Sequence, residues 1–196
     1  MRYDAEHKQR THQKVVHEAA KAIRLHGPDK MGIATLMSQV GLTHGGFYAH
    51  FQSKDDLIAE AISHMFDERA QALRKCTEGL PPAQGLENHI DTYLSTKHRD
   101  HRDIGCPLVA LSGDLARMPP TARKRFEAGV QGMYDAVATL LEAMQHPDAE
   151  ALSRSMVTEM VGAMTVARAV STDLSARILR DARASVKARA GLPTRT

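Results

Sequence analysis

The chain has 196 residues, of which 42% are hydrophobic and 25% charged, with a formal net charge of +3. This length and apolar content suit one large or two small helical domains with a sizeable core. No run approaches eighteen apolar residues and residues 1–14 are charged, which argues against a membrane span or signal peptide and predicts a cytoplasmic protein with no membrane partner. Its two cysteines, Cys76 and Cys106, are expected to be reduced.

The N-terminal quarter is basic. Residues 1–54 hold eight Lys or Arg against four Asp or Glu, together with six histidines. This excess suits a polyanionic partner, although charge alone is equally compatible with a solvated surface. Residues 1–10 are polar and expected to fray, whereas the apolar spacing predicts a helix from an N-cap at Thr11 to about His26.

Two short helices joined by a glycine turn are predicted between Ile33 and Phe51. Gly41 suits the position just after a helix, and Thr43 can cap the next helix through its hydroxyl. Phe47 and Phe51 are four residues apart and share a buried face. The outward side carries Thr43, His44, Gly45 and Tyr48. The pattern indicates a helix-turn-helix.

The run from Gly27 to Leu57 resembles the DNA-binding signature of the TetR family of transcriptional regulators. In that signature a glycine turn leads to a small polar residue, a glycine, an aliphatic or aromatic residue, then Tyr-x-His-Phe and Ser-Lys; the chain reads GLTHGGFYAHFQSK from Gly41. One departure is Met31-Gly32, where many members carry Ser or Thr; Gly32 can still serve as an N-cap. The resemblance implies an all-α fold and contacts to double-stranded DNA from Thr43, His44, Gly45, Gly46, Tyr48, His50 and Lys54.

These residues divide into two kinds of contact. Tyr48 and His50 can donate to phosphate oxygens, Lys54 adds charge, and the small residues before them let the backbone approach the major groove. For His50 a buried packing role remains the alternative. Because one helix-turn-helix makes few base contacts, a homodimer on a palindromic operator is expected.

The rest of the chain is predicted to form a long linking helix and a second helical domain. Ser53 and Asp56 predict a capping box at the start of the linking helix, 53–76. The break at 78–82 divides the chain into a DNA-binding domain, 1–54, and a regulatory and dimerisation domain, 77–196. Apolar spacing predicts further helices at 85–96, 106–117, 121–145, 149–170 and 174–190, with a polar turn at 97–103.

The resemblance implies that the last two helices form the homodimer interface. It also implies that a small molecule bound in the C-terminal domain releases the protein from DNA. Adaptable apolar side chains with a few polar handles are the candidates for its pocket, although methionines at helical spacing are more often simple core. The candidates are Tyr93, His98, Met118, Phe126, Met133, Met160 and Met164.

Cys106 is a candidate sensor for an electrophile or oxidant. It stands at the start of a predicted helix, close in sequence to Arg99, His101 and Arg102, an arrangement that favours the reactive thiolate. The alternative is a small buried hydrophobe. His98, His101 and Cys106 have no further ligands at a metal-binding spacing, so no metal and no cofactor are expected.

Two other classes of function were weighed. A thiol-dependent enzyme would use Cys106 as nucleophile with His98 or His101 as base, but no oxyanion-hole motif or orienting carboxylate can be named, so no enzyme is expected. A purely structural dimerisation module leaves the outward face of Tyr48 and His50 unexplained. A DNA-binding repressor released by a small molecule or by thiol modification is the preferred interpretation.

Overall fold

A computed structural model describes residues 2–194, with side chains from residue 6, and is all-helical over that range, without strands. The α-helices are α1 (Arg2–His26), α2 (Ile33–Gln39), α3 (Lys54–Thr77), α4 (Pro82–Tyr93), α5 (Thr96–Asp100), α6 (Pro107–Leu111), α7 (Pro120–Ala143), α8 (Ala149–Ala167) and α9 (Thr172–Arg189). Single 3-10 segments span His44–Ala49, Arg102–Ile104 and Leu115–Arg117. None of the described helices is both long enough and apolar enough for a bilayer.

The first helix is longer than predicted. The expectation of a frayed segment capped at Thr11 is wrong, because α1 already begins at Arg2. Residues 2–10 contain neither glycine nor proline and include several good helix formers, so nothing in them ends the helix. The apolar face of α1, with Val15, Ala19 and Ile23, is fully buried, and it packs against α2 and α3.

The linking helix α3 joins the two ends of the molecule. Ser53 Oγ accepts the backbone N–H of Asp56 at 3.1 Å, and Asp56 Oδ2 accepts the backbone N–H of Gln52 at 3.1 Å. The predicted cap is therefore confirmed, with the acid bonded one residue earlier than in a standard capping box. With 24 residues, α3 packs against α1 near its start and against α4 and α7 further on.

The C-terminal helices match the apolar spacing, with shifts at their ends. Helix α4 spans 82–93 rather than 85–96, because Pro82 fits the first turn of a helix. The stretch predicted as a polar turn instead forms α5, whose cap Ser95 accepts the N–H of His98 at 3.1 Å. Helix α6 is shorter than predicted and a 3-10 turn follows it, whereas α7, α8 and α9 lie within three residues of their predicted bounds.

Candidate nucleic-acid interface and internal sites

The turn between α2 and the segment His44–Ala49 is fixed by backbone geometry. Gly41 has a positive φ of 79°, a conformation that glycine adopts without strain. The next amide, that of Leu42, donates to the carbonyl of Met37 at 2.9 Å and closes the end of α2. Thr43 then turns extended, and its hydroxyl oxygen accepts the N–H of Gly46 at 3.3 Å. Thr43 thus caps the segment, as predicted.

The segment His44–Ala49, called here the recognition segment, rests on aromatic rings. Phe47 and Phe51 are buried, and their rings stack with centroids 5.3 Å apart. His12 of α1 stacks on Phe51 from the other side at 4.5 Å. The predicted buried face is confirmed, and it fixes the recognition segment against α1.

The opposite face of the recognition segment is open. Tyr48 is 65% exposed, and Thr43, His44 and Gly45 are exposed beside it. A Cβ atom added to Gly45 would meet no atom of the described residues within 4 Å, so none of them covers this position. This exposed face therefore carries a hydroxyl group, an imidazole and a phenol.

His50 and Lys54 follow the recognition segment in the chain. His50 is half-buried, and its Nδ1 atom is buried with no hydrogen-bond partner among the described residues. Burial, with smaller contributions from His12 and Lys8, lowers the pKa of His50. Lys54 is also half-buried, and its Nζ atom donates to the carbonyl of Asp29 at 3.2 Å.

Arg24 faces the interior, although it counts toward the basic excess of the N-terminal quarter. Its side chain is completely buried, with Nη2 2.7 Å from Oε2 of Glu68. Its Nη1 donates to the carbonyl of Asp103 at 3.2 Å. The charge that this part of the chain offers to a polyanion is therefore smaller than the sequence tally implies.

A cavity of about 220 Å³ lies between α3, α4 and α7. Of the predicted pocket residues, only Met133 lines it. Phe66, Arg69 and His89 also line the cavity, although the sequence did not indicate them as pocket residues. One sequence feature could have indicated this cavity: the charged residue Arg69 lies within the apolar stripe of α3. The remaining predicted pocket residues are buried elsewhere in the core: Tyr93, His98, Met118, Phe126, Met160 and Met164.

Arg69 lines the cavity together with one acidic residue of the same helix, Asp67. Its guanidinium carbon lies 5.6 Å from the centre of the Tyr93 ring, and it makes no ion pair within residues 6–194. Its Nε atom is buried and has no hydrogen-bond partner there. Burial, with Arg69 adding to it, lowers the pKa of His89 to about 3, so that His89 is neutral. The cavity therefore combines apolar walls with one cationic side chain, Arg69, and one carboxylate, Asp67.

His98 and Cys106 meet in the core beside Tyr93. The Nδ1 atom of His98 lies 2.7 Å from the carbonyl of Tyr93, and its Nε2 atom lies 3.2 Å from the backbone nitrogen of Cys106. These contacts assign the neutral imidazole with its proton on Nδ1, because Nε2 has to accept. Burial, followed by the charge of Arg69, lowers the pKa of His98 to about 4. Cys106 is fully buried, and His98 Nε2 is already occupied by the Cys106 N–H, so it is not free to act as a base toward the thiol.

A cluster that the sequence analysis did not anticipate lies where α1 meets α3. The fold brings one ligand atom each from His17, His64 and Glu68 within 4.8 Å of one another. Their separation of up to 51 positions along the chain leaves no local motif to recognise.

Comparison with known proteins shows that most of the chain is similar to one family of regulators. Residues 15–61 match the model for bacterial regulatory proteins of the tetR family, and residues 82–192, more than half of the chain, match the tetracyclin repressor-like C-terminal domain. An uncharacterized HTH-type transcriptional regulator, YerO of Bacillus subtilis, is 29% identical over 75 residues, which cover 37% of this chain and 26% of YerO. The match thus spans about a quarter of that relative.

Solved structures extend the similarity of fold over almost the full length. NemR of E. coli in its reduced form superposes with a TM-score of 0.80 at 18% identity, covering 91% of this chain and 95% of that one. A TetR transcriptional regulator from Chloroflexus aurantiacus superposes with a TM-score of 0.79 at 22% identity, covering 93% and 95% of the two chains.

Proposed function

The chain belongs to the TetR family of DNA-binding transcriptional regulators, and on this premise we propose that it is a cytoplasmic repressor that binds a palindromic operator as a homodimer and leaves it when an effector binds. The observation that supports this most strongly is the open face of the recognition segment. Tyr48 is 65% exposed there, and it offers a partner both a flat ring and a hydroxyl donor. A DNA backbone is such a partner.

In this proposal the DNA contacts fall into two sets. The phenol of Tyr48 and the hydroxyl of Thr43 donate to phosphates, because the Thr43 oxygen accepts from Gly46 while its proton remains free. Lys54 adds charge, and His50 reaches a phosphate through Nε2, since its Nδ1 is buried. His44, with Gly45 and Gly46, approaches the base edges in the major groove.

Dimerisation is proposed to use the outward faces of α8 and α9. Helix α8 leaves one row of small residues exposed at successive turns: Ala151, Ser155, Thr158 and Gly162. Val166 extends this row and is 48% exposed, while Leu174 at the start of α9 is 39% exposed. Small side chains allow two helices to approach closely, and the two larger ones supply apolar area for a second copy of the chain.

The effector is proposed to be an organic anion with a flat apolar body, bound in the cavity between α3, α4 and α7. Phe66, Met133 and Val137 offer apolar contact, while the unpaired Arg69 offers hydrogen bonds and charge to a carboxylate or phenolate. Because α3 both lines the cavity and follows the recognition segment in the chain, an effector that fills the cavity is positioned to shift α3 relative to that segment.

Two matched probes test this effector class. 2-Naphthoate and its neutral analogue 2-naphthamide have nearly the same shape. The difference between their binding free energies, measured by titration calorimetry on the full chain, therefore gives the contribution of the negative charge. Naphthoate is expected to bind more tightly, and Arg69→Met is expected to remove the difference while Arg69→Lys keeps part of it. Equal binding of both probes by the parent protein would rule out an anionic effector.

Thiol modification is the second proposed trigger. Cys106 lies at the start of α6, and its backbone N–H donates to His98 Nε2 at 3.2 Å. In the reaction with a quinone, the thiolate sulfur adds to a ring carbon, the displaced electron pair moves to a ring oxygen, and that oxygen takes up a proton. Since Cys106 is fully buried, the segment around α6 has to open first.

A quinone added to the protein–DNA complex tests this trigger. Release from DNA is expected for the parent and for Cys76→Ser but not for Cys106→Ser. Identical release from the parent and Cys106→Ser would eliminate the thiol route.

DNA binding itself is tested with fluorescently labelled promoter fragments, including the one beside the protein's own gene. Anisotropy titrations over a series of salt concentrations are expected to give an affinity that falls steeply with salt, because binding releases counterions from phosphates. Footprinting is expected to protect two symmetric half-sites about one helical turn or a multiple apart. Weak, salt-insensitive binding to every fragment would contradict the proposed function.

A further inference from the structure

Three side-chain atoms form a nearly equilateral triangle at the junction of α1 and α3. His17 Nδ1 lies 3.2 Å from His64 Nε2 and 3.3 Å from Glu68 Oε1. His64 Nε2 lies 3.2 Å from the same Glu68 oxygen. All three atoms carry lone pairs that can bind a metal ion.

The size of the triangle matches a tetrahedral metal site. Zinc binds imidazole nitrogen at about 2.0–2.1 Å and carboxylate oxygen at about 2.0–2.2 Å, so two ligand atoms of a tetrahedral site lie roughly 3.3 Å apart. The three measured distances, 3.2, 3.2 and 3.3 Å, agree with this separation. The side chains therefore need little movement to accept an ion.

Hydrogen bonds alone satisfy this triangle poorly. If both imidazole nitrogens carry a proton and donate to Glu68, two N–H groups face each other across the 3.2 Å edge between His17 and His64. If one nitrogen is unprotonated, that histidine loses its bond to the carboxylate. A cation at the centre satisfies all three lone pairs together.

A buried guanidinium holds the carboxylate in position. Arg24 Nη2 donates to Glu68 Oε2 at 2.7 Å, and the Arg24 side chain is completely buried. The other oxygen, Oε1, is therefore turned toward the imidazoles. Outer contacts of this kind orient metal ligands and raise the affinity of a site.

The surroundings allow an ion to enter. The side chains of His17, His64 and Glu68 are 39%, 33% and 24% exposed, and the two histidines line a surface cleft. The same cleft is lined by the acidic Asp56, Glu60 and Asp67 and by the basic Lys14 and Arg125. A water molecule can complete the fourth position.

We propose that His17, His64 and Glu68 bind one divalent transition-metal ion of the zinc type per chain. His64 and Glu68 are one turn apart on α3, whereas His17 lies on α1. The bound ion therefore ties the first helix of the DNA-reading part to the helix that links it to the rest of the molecule. The metal site stands independently of the proposed function, whereas any effect of the ion on DNA binding rests on it.

The test uses the untagged full-length protein after treatment with a chelator. Cobalt(II) is titrated first, because the intensity of its visible absorption distinguishes tetrahedral from octahedral ligands, and Zn²⁺ affinity is then measured against a chromophoric chelator. The parent is expected to bind one ion per chain tightly enough to compete at micromolar concentrations. His17→Ala and His64→Ala are each expected to weaken binding by at least about 100-fold, because each removes a direct ligand and the loss of an outer contact alone costs about 10- to 100-fold.

His12→Ala is the matched control, because His12 also lies on α1 and pairs with a different α3 carboxylate, that of Glu60, at 2.6 Å. Its affinity for Zn²⁺ is expected to equal that of the parent. Zn²⁺ is further expected to raise the Tm of the parent and of His12→Ala but not of the two site variants. If an alanine variant fails to fold, His17→Gln or His64→Gln takes its place.

The proposal is overturned if the parent takes up no ion, if the ion binds with octahedral geometry and equal affinity in all variants, or if the double variant of His17 and His64 retains parental affinity. Metal uptake is measured without DNA. A positive result together with absent DNA binding would thus leave the site intact while refuting the proposed function.

Discussion

Individual side chains show how burial changes the meaning of a residue type. Arg24 and Lys54 are both cations in the basic N-terminal quarter, yet Arg24 is buried against Glu68 while Lys54 borders the recognition segment. His50 and His98 are likewise both candidates for function, but His98 is bonded on both ring nitrogens in the core. Only the side chains left with free donors at the surface are available to a ligand such as DNA.

Tyr48 and Lys54 are predicted to act on phosphates and not on bases. Tyr48→Phe removes one hydroxyl from each half-site and is expected to weaken binding about five- to tenfold on operator and random DNA alike. Lys54→Ala is expected to reduce the slope of log affinity against log salt by about one per half-site. Anisotropy titrations measure both effects.

Lys97→Ala is the control for these variants, since Lys97 is an exposed lysine on α5, remote in sequence from the recognition segment. Unchanged affinity and salt slope in both Tyr48→Phe and Lys54→Ala would remove the two phosphate roles.

His98 is predicted to make the fold sensitive to acid. Its pKa is about 4 in the folded protein and near 6.5 in the unfolded chain, so between these values the unfolded state binds more protons. The contribution of neutral His98 to the free energy of unfolding is present in full above pH 6.5. It decreases as the pH drops toward 4, and at pH 5 it is smaller by about 2 kcal/mol. His89, whose pKa is about 3, acts in the same direction.

Urea unfolding at pH 7 and pH 5 measures this effect. His98→Asn keeps an amide donor and acceptor but does not titrate, so its loss of stability between the two pH values is expected to be about 2 kcal/mol smaller than that of the parent. An equal loss in both proteins would refute the assigned role of His98, whereas His26→Asn, at an exposed position, is expected to behave like the parent.

At the scale of elements, the helix-turn-helix depends on local interactions that can be predicted from the sequence. The positive φ of Gly41, the cap from Thr43 and the phenylalanine pair were all readable from residue types and spacing. The short recognition segment is a 3-10 helix, which suits two consecutive glycines with low helix propensity. Its stability therefore comes from the rings beneath it.

Helix α7 offers a matched pair of glycines that border the cavity. A Cβ at Gly129 would lie 2.2 Å from ring atoms of Phe66, whereas a Cβ at Gly132 would meet nothing within 4 Å. Gly132→Ala is expected to stabilise the protein by about 1 kcal/mol through helix propensity alone. Gly129→Ala is expected to destabilise it, since the Phe66 ring has to move and with it the edge contact to Phe126.

Thermal or urea unfolding of the two variants beside the parent measures this difference. Stabilisation of similar size in both variants would mean that the Phe66 ring does not pack against α7 at Gly129.

At the scale of the whole molecule, α3 is the only described helix that packs extensively against both the first helix and the long α7. It carries the cap next to the recognition segment, Glu68 of the proposed metal site, and Arg69 of the cavity. A structural change at the proposed metal site or at the cavity can therefore be transmitted to the DNA-binding face through the single helix α3.

The proposed dimer is tested at the exposed Gly162, where an added Cβ would meet no atom of the described residues within 4 Å. Gly162→Tyr is thus expected to leave the fold intact but to collide with a partner helix, giving a monomer by light scattering and at least a hundredfold loss of operator affinity. Asn88→Tyr, at an exposed position on α4, is the control and is expected to remain a dimer. A dimeric Gly162→Tyr that binds DNA normally would place the interface elsewhere.

The sequence by itself determined the helical class, the family and the helix-turn-helix, because these depend on apolar spacing, glycine conformation and capping between residues close in the chain. It also located the long C-terminal helices to within three residues. Only the tertiary structure decided that Arg24 faces inward, that Arg69 and His89 border a cavity, and that His17 meets His64 and Glu68. Those facts depend on how helices cross and rotate against one another, and that is set by the packing of the whole core rather than by any local pattern.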